Sequence, residues 1–155
     1  MTMPYPHEYQ RASDEFAAFL DDLKRAAMYG SPHPAYTTTQ AVFQVFRRRI
    51  SLEDGIRFAA ALPAGLRALF VADWDPLEAR VPFGSVEAMT AEARQLRPGH
   101  NFVEDDSIAR VSTVLWRHVE AARLGEVLAA MAPAARSFWS PGAPAGRGAW
   151  HHRVG

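Results

Sequence analysis

Apolar side chains recur along most of this chain at the spacing of one helix face, and this pattern constrains the fold more than any other feature. The first stripe occupies positions i, i+3, i+4, i+7 and i+11 and consists of Phe16, Phe19, Leu20, Leu23 and Ala27. That spacing is typical of an amphipathic α-helix, and Ser13 is suited to cap its first turn. Later segments repeat the spacing between prolines and glycines, so we predict an all-α bundle of about eight helices.

The second and third predicted helices meet at an arginine-rich turn. Helix 2 is expected from about Ala35 to Arg49, and its apolar face consists of Ala41, Val42, Val45, Phe46 and Ile50. Helix 3 begins after Ser51 and takes its apolar groups from Ile56, Phe58, Ala59 and Leu62. Pro63 is expected to end helix 3 and to open helix 4, because proline is tolerated in the first turn of a helix but not in its interior.

The chain matches itself in pattern when it is shifted by about 70 residues. The matched pairs include Arg47 with Arg117, Gly55 with Gly125, Pro63 with Pro133 and, after one dropped residue, Arg67 with Arg136. Composition alone does not produce agreement in both order and spacing. Since one unit of about 60 residues forms only a marginal core, we expect two pseudo-repeated units to bury their apolar stripes against each other.

The repeat and its breakpoints divide the chain into one helical domain and two ends of different character. Residues 1–12 are rich in proline and polar side chains, and we expect an irregular N-terminal arm. Residues 141–155 are rich in proline, glycine and alanine, which is typical of a flexible tail. The domain at 13–140 is predicted to contain unit one at 13–72, an interunit loop at 73–84 and unit two at 85–140.

Particular residues of the repeated unit match the pattern of a known family. They are the start Asp14-Glu15-Phe16, the pair Ala41-Val42, the arginines Arg47 and Arg49, and the ending Leu62-Pro63-Ala64-Gly65-Leu66-Arg67-Ala68-Leu69-Phe70. Over roughly residues 13–140 the chain therefore resembles the bacterial family called domain of unknown function 2267, although the second unit, at 132–139, lacks the leucines. The resemblance implies a helical bacterial protein and no particular reaction, since the family has no agreed catalytic residues to carry over.

Charge and cysteine content narrow the classes of partner. The 155 residues include 17 Lys and Arg, 17 Asp and Glu, and no cysteine. Balanced charge is unlike the basic footprint of a nucleic-acid-binding protein and favours self-association. No signal peptide and no apolar run of transmembrane length is found. We therefore expect no nucleic-acid partner, no membrane association and a cytoplasmic location.

The sequence contains no motif for catalysis, a metal or a cofactor. None of the six histidines belongs to a His-Glu-x-x-His pattern. His33 and His100 fall in equivalent loops of the two units, where we interpret them as solvated. The adjacent carboxylates of Asp21 and Asp22 point in different directions on a helix. We predict no catalytic residue, no metal site and no cofactor.

Two sets of arginines are candidates for a structural or interaction role. Arg67 and Arg136 recur just after the proline of each unit, and our hypothesis is that each caps or bridges neighbouring helices. Arg47, Arg48 and Arg49 form the densest run of charge. This run is interpreted either as a patch for a phosphate or an acidic partner, or as a solvated helix end whose cations oppose the dipole.

Aromatic residues supply the remaining candidates. Trp74 lies between Asp73 and Asp75 in the interunit loop, where it either pins the loop to the bundle or marks a contact surface. Phe43 is off the main stripe of helix 2 and Trp150 is in the tail, so a partner could cover both if they are exposed. Trp116 is predicted to lie in the core.

These observations favour a non-catalytic helical module for interaction or assembly, with a protein partner or a second copy of the chain. The alternative is a protein that binds a small ligand, or an enzyme, with a pocket between the two units, since pockets do form between bundle helices. An enclosed polar pocket with converging His, Arg and carboxylate groups would favour the alternative.

Overall fold

Nine α-helices and no strand make up the part of the chain that the computed structural model describes, residues 6–96 and 103–140. The fold is therefore all-α, as the apolar stripes predict. The helices are α1 (His7–Gln10), α2 (Ala12–Ala27), α3 (Pro32–Arg47), α4 (Leu52–Ala60), α5 (Ala64–Val71), α6 (Val86–Leu96), α7 (Ser107–Trp116), α8 (Ala121–Ala129) and α9 (Pro133–Phe138). None of these nine helices combines the length and the apolar character that crossing a bilayer requires.

Helix α3 lies at the centre and packs against α2, α5, α6 and α7. It is buried on almost every side, which is typical of a helix that is surrounded by others. This position corrects the expectation for Phe43, which is fully buried against the ring of Phe70 and offers no surface to a partner. The single apolar stripe assigned to this helix was too narrow, because a central helix buries residues outside its main stripe as well.

One aromatic cluster joins helices from both halves of the chain. The rings of Phe46 and Phe58 lie 4.9 Å apart, and Trp139 stacks on Phe58 at 5.4 Å. Phe138 in turn lies 5.1 Å from Phe46. Since Phe138 and Trp139 come from the C-terminal end of the described chain, α3, α4 and α9 share one interior. Trp116, predicted to be in the core, is instead half-buried, and its Nε1 donates to the Trp139 carbonyl at 2.6 Å.

The N-terminal arm is partly helical, contrary to the expectation of an irregular segment. The carbonyl of Pro6 accepts hydrogen bonds from the backbone N–H groups of Tyr9 and Gln10, which starts the four-residue helix α1. Ser13 lies inside α2 rather than capping it. Prolines shift a second boundary, since Pro32 and Pro34 open α3 instead of only stopping the previous helix.

The order of a longer helix, a nine-residue helix and a short helix occurs twice, as α3–α4–α5 and as α7–α8–α9. Residues 72–85, between α5 and α6, form no helix. The recurrence supports the proposed duplication, which stays a prediction.

Candidate functional site

The end of α3 is tied to α6 by a buried guanidinium. Both terminal nitrogens of Arg49 donate to the Glu92 carboxylate, at 2.9 and 2.7 Å. Arg49 also donates to the carbonyls of Val45, at 2.7 Å, and Pro82, at 3.1 Å. This fork geometry is the strong form of an arginine–carboxylate pair, so Arg49 joins α3, α6 and the loop before α6.

Arg48 extends the same ion-pair network towards the interunit loop. It donates to Glu92 and to Glu78, each at 2.9 Å. The hydrogen bonds from Arg49 lower the pKa of Glu92, burial acts in the opposite direction, and the hydrogen bond from Arg48 lowers the pKa further. The net result is a pKa below the usual value of a glutamate, so Glu92 is a stable anion at neutral pH.

Arg47 is buried and is held by backbone carbonyls. Its Nη1 donates to the carbonyls of Phe70, at 2.7 Å, and Ala72, at 2.9 Å, at the end of α5. Its guanidinium carbon lies 5.6 Å from the centroid of the Trp74 ring, in reach of a cation–π interaction. The interpretation of the arginine run as a solvated helix end is therefore wrong for Arg47 and Arg49, which are both buried.

Trp74 packs on a glycine of α4. A Cβ atom added to Gly55 would lie 2.6 Å from Cζ3 of Trp74 and closer still to its Cη2. The indole also meets the Phe70 ring edge-on at 5.7 Å. Trp74 thus fits where only a residue without a side chain leaves room, and these contacts hold the start of the loop against α4 and α5.

A cavity of about 180 Å³ lies beside this loop. Three arginines and one glutamate line it together with the indole, namely Arg47, Arg48, Arg80, Glu78 and Trp74. Arg80 makes no ion pair among the described residues. The cavity combines cationic side chains with an aromatic face, a composition that suits a small anion.

Arg67 and Arg136 make matching hydrogen bonds. Arg67 donates to the carbonyls of Ala59, at 3.3 Å, and Leu62, at 3.0 Å, at the end of α4. Arg136 donates to the carbonyls of Ala129, at 3.5 Å, and Met131, at 2.6 Å, at the end of α8. Each arginine therefore donates to carbonyls at and just after the end of the preceding helix, where backbone donors run out, which is what the capping hypothesis requires.

Arg67 also lines a groove of about 490 Å³ on the surface of α4, α5 and α8. We call this the apolar groove; it is lined by Ile56 and Ala60 of α4, Arg67 and Val71 of α5, Arg123 of α8, and Glu8 of α1. Ile56 is 61% exposed and Val71 is 45% exposed. Leu52, one turn before Ile56 on α4, is exposed as well.

A second, more polar groove of about 350 Å³ adjoins it and shares Glu8, Ala60, Arg67 and Arg123. His118 lines this polar groove and contacts Asp22 at 2.9 Å, while Arg117 donates to the same carboxylate at 2.8 Å. Burial raises the pKa of Asp22, but the hydrogen bonds from His118 and Arg117 outweigh it and hold the pKa below the usual value. These contacts tie α2 to the turn after α7.

The apolar groove was not among the sites expected from the sequence. Ile56 and Phe58 were both counted among the apolar groups of one helix. However, side chains two positions apart on a helix point in directions that differ by about 200°. Because Phe58 is fully buried, Ile56 must lie on the outer face. That angular separation is the signal by which the sequence could have indicated an exposed apolar position.

The other candidate residues fall outside these sites. His33 lies at the start of α3 and stacks on Tyr36 at 6.4 Å. His100 and Trp150 lie outside the described residues. Within the described ranges, no group of three or more histidines and carboxylates is placed to hold a metal ion.

Comparison with known proteins gives a family without an assigned activity. The family model described as "Uncharacterized conserved protein (DUF2267)" matches residues 16–138, which include α3 to α9 and all but the first four residues of α2. No curated protein matches the sequence significantly.

Proposed function

We propose a function for this chain from the premise that it belongs to the DUF2267 family of uncharacterised conserved proteins. The function is that of a non-catalytic helical module, which docks a protein partner in the apolar groove. The groove is a fixed surface rather than a loop, because α4, α5 and α8 all pack into the bundle. Fixed grooves of this kind accept a helix or an extended segment with little reorganisation.

The exposure of Ile56 beside Val71 is the observation that carries this proposal. Scattered apolar residues on a surface need no explanation, whereas neighbouring ones with a polar rim are typical of interaction sites. Ile56, Ala60 and Val71 form the apolar part of the groove, and Arg67, Arg123 and Glu8 form its rim. An apolar centre with a charged rim is the usual anatomy of a protein interface.

Quantitative affinity capture from the organism of origin tests the proposal. The bait is the full chain, compared with a double variant that carries Ile56→Glu and Val71→Glu. A matched control is Leu77→Glu, which changes an apolar residue that is 90% exposed but lies outside the groove. We expect a partner that the wild type and the control retain and the double variant loses, and that binds the purified wild-type chain directly. Equal recovery with all three baits would contradict the proposal.

The cavity beside the interunit loop favours a second candidate function, the binding of a small anion. Arg80 and Arg48 lie at this cavity with Trp74, so an oxyanion could be held by arginines against an aromatic face. Thermal unfolding in the presence of phosphate, sulfate and small carboxylates tests this function. A ligand-dependent rise in melting temperature that Arg80→Ala abolishes would support it, and no rise with any of these anions would exclude it for them.

A further inference from the structure

Glu8 is the single carboxylate among the described residues that line the apolar groove, and it pairs with Arg67 at 3.0 Å. Without Glu8, the groove would present two guanidinium groups, of Arg67 and Arg123, beside the apolar surface of Ile56 and Val71. We propose that the groove binds an acidic amphipathic helix of a partner protein, whose carboxylate replaces Glu8 on Arg67, and that α1 is an internal competitor. This inference rests on the proposed docking function and specifies the chemistry of the partner.

Helix α1 is suited to be displaced. It contains four residues, none of them buried, and it packs mainly against α2. Its tie to the groove is the pair of Glu8 and Arg67, whose side chains are 46% and 30% exposed. Exposed ion pairs contribute little to stability, and elements with few buried contacts open before the rest of a fold. Release of α1 therefore costs little and leaves the bundle intact.

Arg67 stays in position when Glu8 leaves. Its guanidinium is also held by the carbonyls of Ala59 and Leu62. A side chain that is already fixed loses little conformational entropy on binding. Arg123 makes no ion pair within the described part of the chain, so it is available to a second carboxylate. The groove thus offers one pre-positioned cation and one unpaired cation beside an apolar surface.

Charge complementarity selects the occupant. An amphipathic helix that lays leucines on Ile56 and Val71 would bring flanking glutamates to Arg67 and Arg123, which is the helix-in-groove mode of recognition. The C-terminal segment of this chain, residues 141–155, contains arginines and no Asp or Glu. Its charge therefore does not match the groove, whereas an acidic helix of another protein does.

Titration of the isotope-labelled full chain with a synthetic helix tests the inference. The probe is an amphipathic peptide of about four helical turns with leucines at i, i+4 and i+7 and glutamates beside them, and the matched peptide carries glutamine at every glutamate. Binding is measured from the NMR shifts of the Ile56 and Val71 amides and of the Arg67 side chain. We expect Glu8→Gln to tighten binding of the glutamate peptide by about two- to fivefold, the factor that an exposed ion pair is worth.

Two charge-reversal variants complete the experiment. Arg123→Glu is expected to weaken binding, whereas Arg25→Glu, the same change at an exposed arginine of α2 that lines neither the groove nor the cavity, is expected to have no effect. Unchanged affinity in Glu8→Gln, or equal binding of the glutamine peptide, would overturn the inference. In that case the docking function would still stand if Ile56→Glu weakened peptide binding. Binding insensitive to Ile56→Glu, or no shift with millimolar peptide, would count against both. A chain that dimerises through the groove and excludes the peptide would assign the groove to a second copy and overturn the acidic-partner inference.

Discussion

At Gly55 the indole of Trp74 occupies the space that a side chain would need. This contact determines whether a substitution at Gly55 raises or lowers the free energy of unfolding. Gly55→Ala would normally stabilise a helix by about 1 kcal/mol. Here the added methyl group would overlap the indole, and overpacking of this kind costs about 1–3 kcal/mol. We expect Gly55→Ala to lower the free energy of unfolding measured in urea and to shift the tryptophan fluorescence.

Gly125 is the matched control, because it is the counterpart of Gly55 in the proposed repeat and lies in α8. A Cβ atom added there meets nothing within 4 Å. Gly125→Ala should therefore stabilise the protein by about 0.5–1 kcal/mol. Equal stabilisation by both substitutions would show that Trp74 does not rest on Gly55.

The burial of a single residue could be predicted from the sequence only where the residue belongs to a clear apolar stripe on one helix face. Phe19 and Leu23, on the first stripe, are buried as expected. Phe43, off the main stripe, is buried, and Ile56, counted among the apolar groups of its helix, is exposed, because the stripe alone does not reveal how many neighbours surround a helix. α3 has neighbours on almost every side and buries Phe43, whereas α4 has an open side that exposes Ile56.

Between elements, a two-pronged ion pair of Arg49 and Glu92 joins the turn after α3 to α6. Glu92→Gln removes the charge that neutralises a buried guanidinium, and hydrogen bonds to charged groups contribute about 1.5–3 kcal/mol. We expect a loss of that order at pH 7, measured by urea unfolding. Glu87→Gln, at an exposed position of the same helix that makes no ion pair among the described residues, is the matched control and should change little.

The pH dependence of this loss follows from the lowered pKa of Glu92. A carboxylate with a lower pKa in the folded state contributes its full stability above its unfolded pKa of about 4.3. The contribution disappears as the pH falls through the folded pKa. The difference in stability between wild type and Glu92→Gln should therefore be large at pH 7 and shrink below about pH 4. A difference that stays constant down to pH 3 would contradict this role.

The sequence could not assign these ties between elements, although it did indicate the elements. Helix boundaries followed from apolar spacing and prolines, and most were close to those observed. By contrast, Arg49 finds its partner at Glu92, 43 residues away, and no local pattern connects the two. The run of three arginines was therefore interpreted from its position at a helix end, which suggested solvent where the structure has carboxylates and carbonyls.

For the molecule as a whole, the shared aromatic cluster predicts cooperative unfolding. Trp139 is fully buried and lies against Phe46 and Phe58 of the other half. Trp139→Ala should cost about 3–5 kcal/mol and lower the hydrogen-exchange protection of α3 and α7 together. Trp116→Ala, at a half-buried position, should cost less. Loss of protection in α7 alone would show that the halves unfold independently.

The apolar groove is the surface where we propose that a partner binds, and photocrosslinking tests this directly. A photoreactive amino acid is placed at position 56 in the groove or at position 91, an exposed alanine of α6, in the full chain expressed in its organism of origin. We expect a discrete protein adduct from position 56 that disappears when Val71→Glu is added, and none of that mass from position 91. No adduct from position 56, or the same adduct from both positions, would show that the groove is not the docking surface.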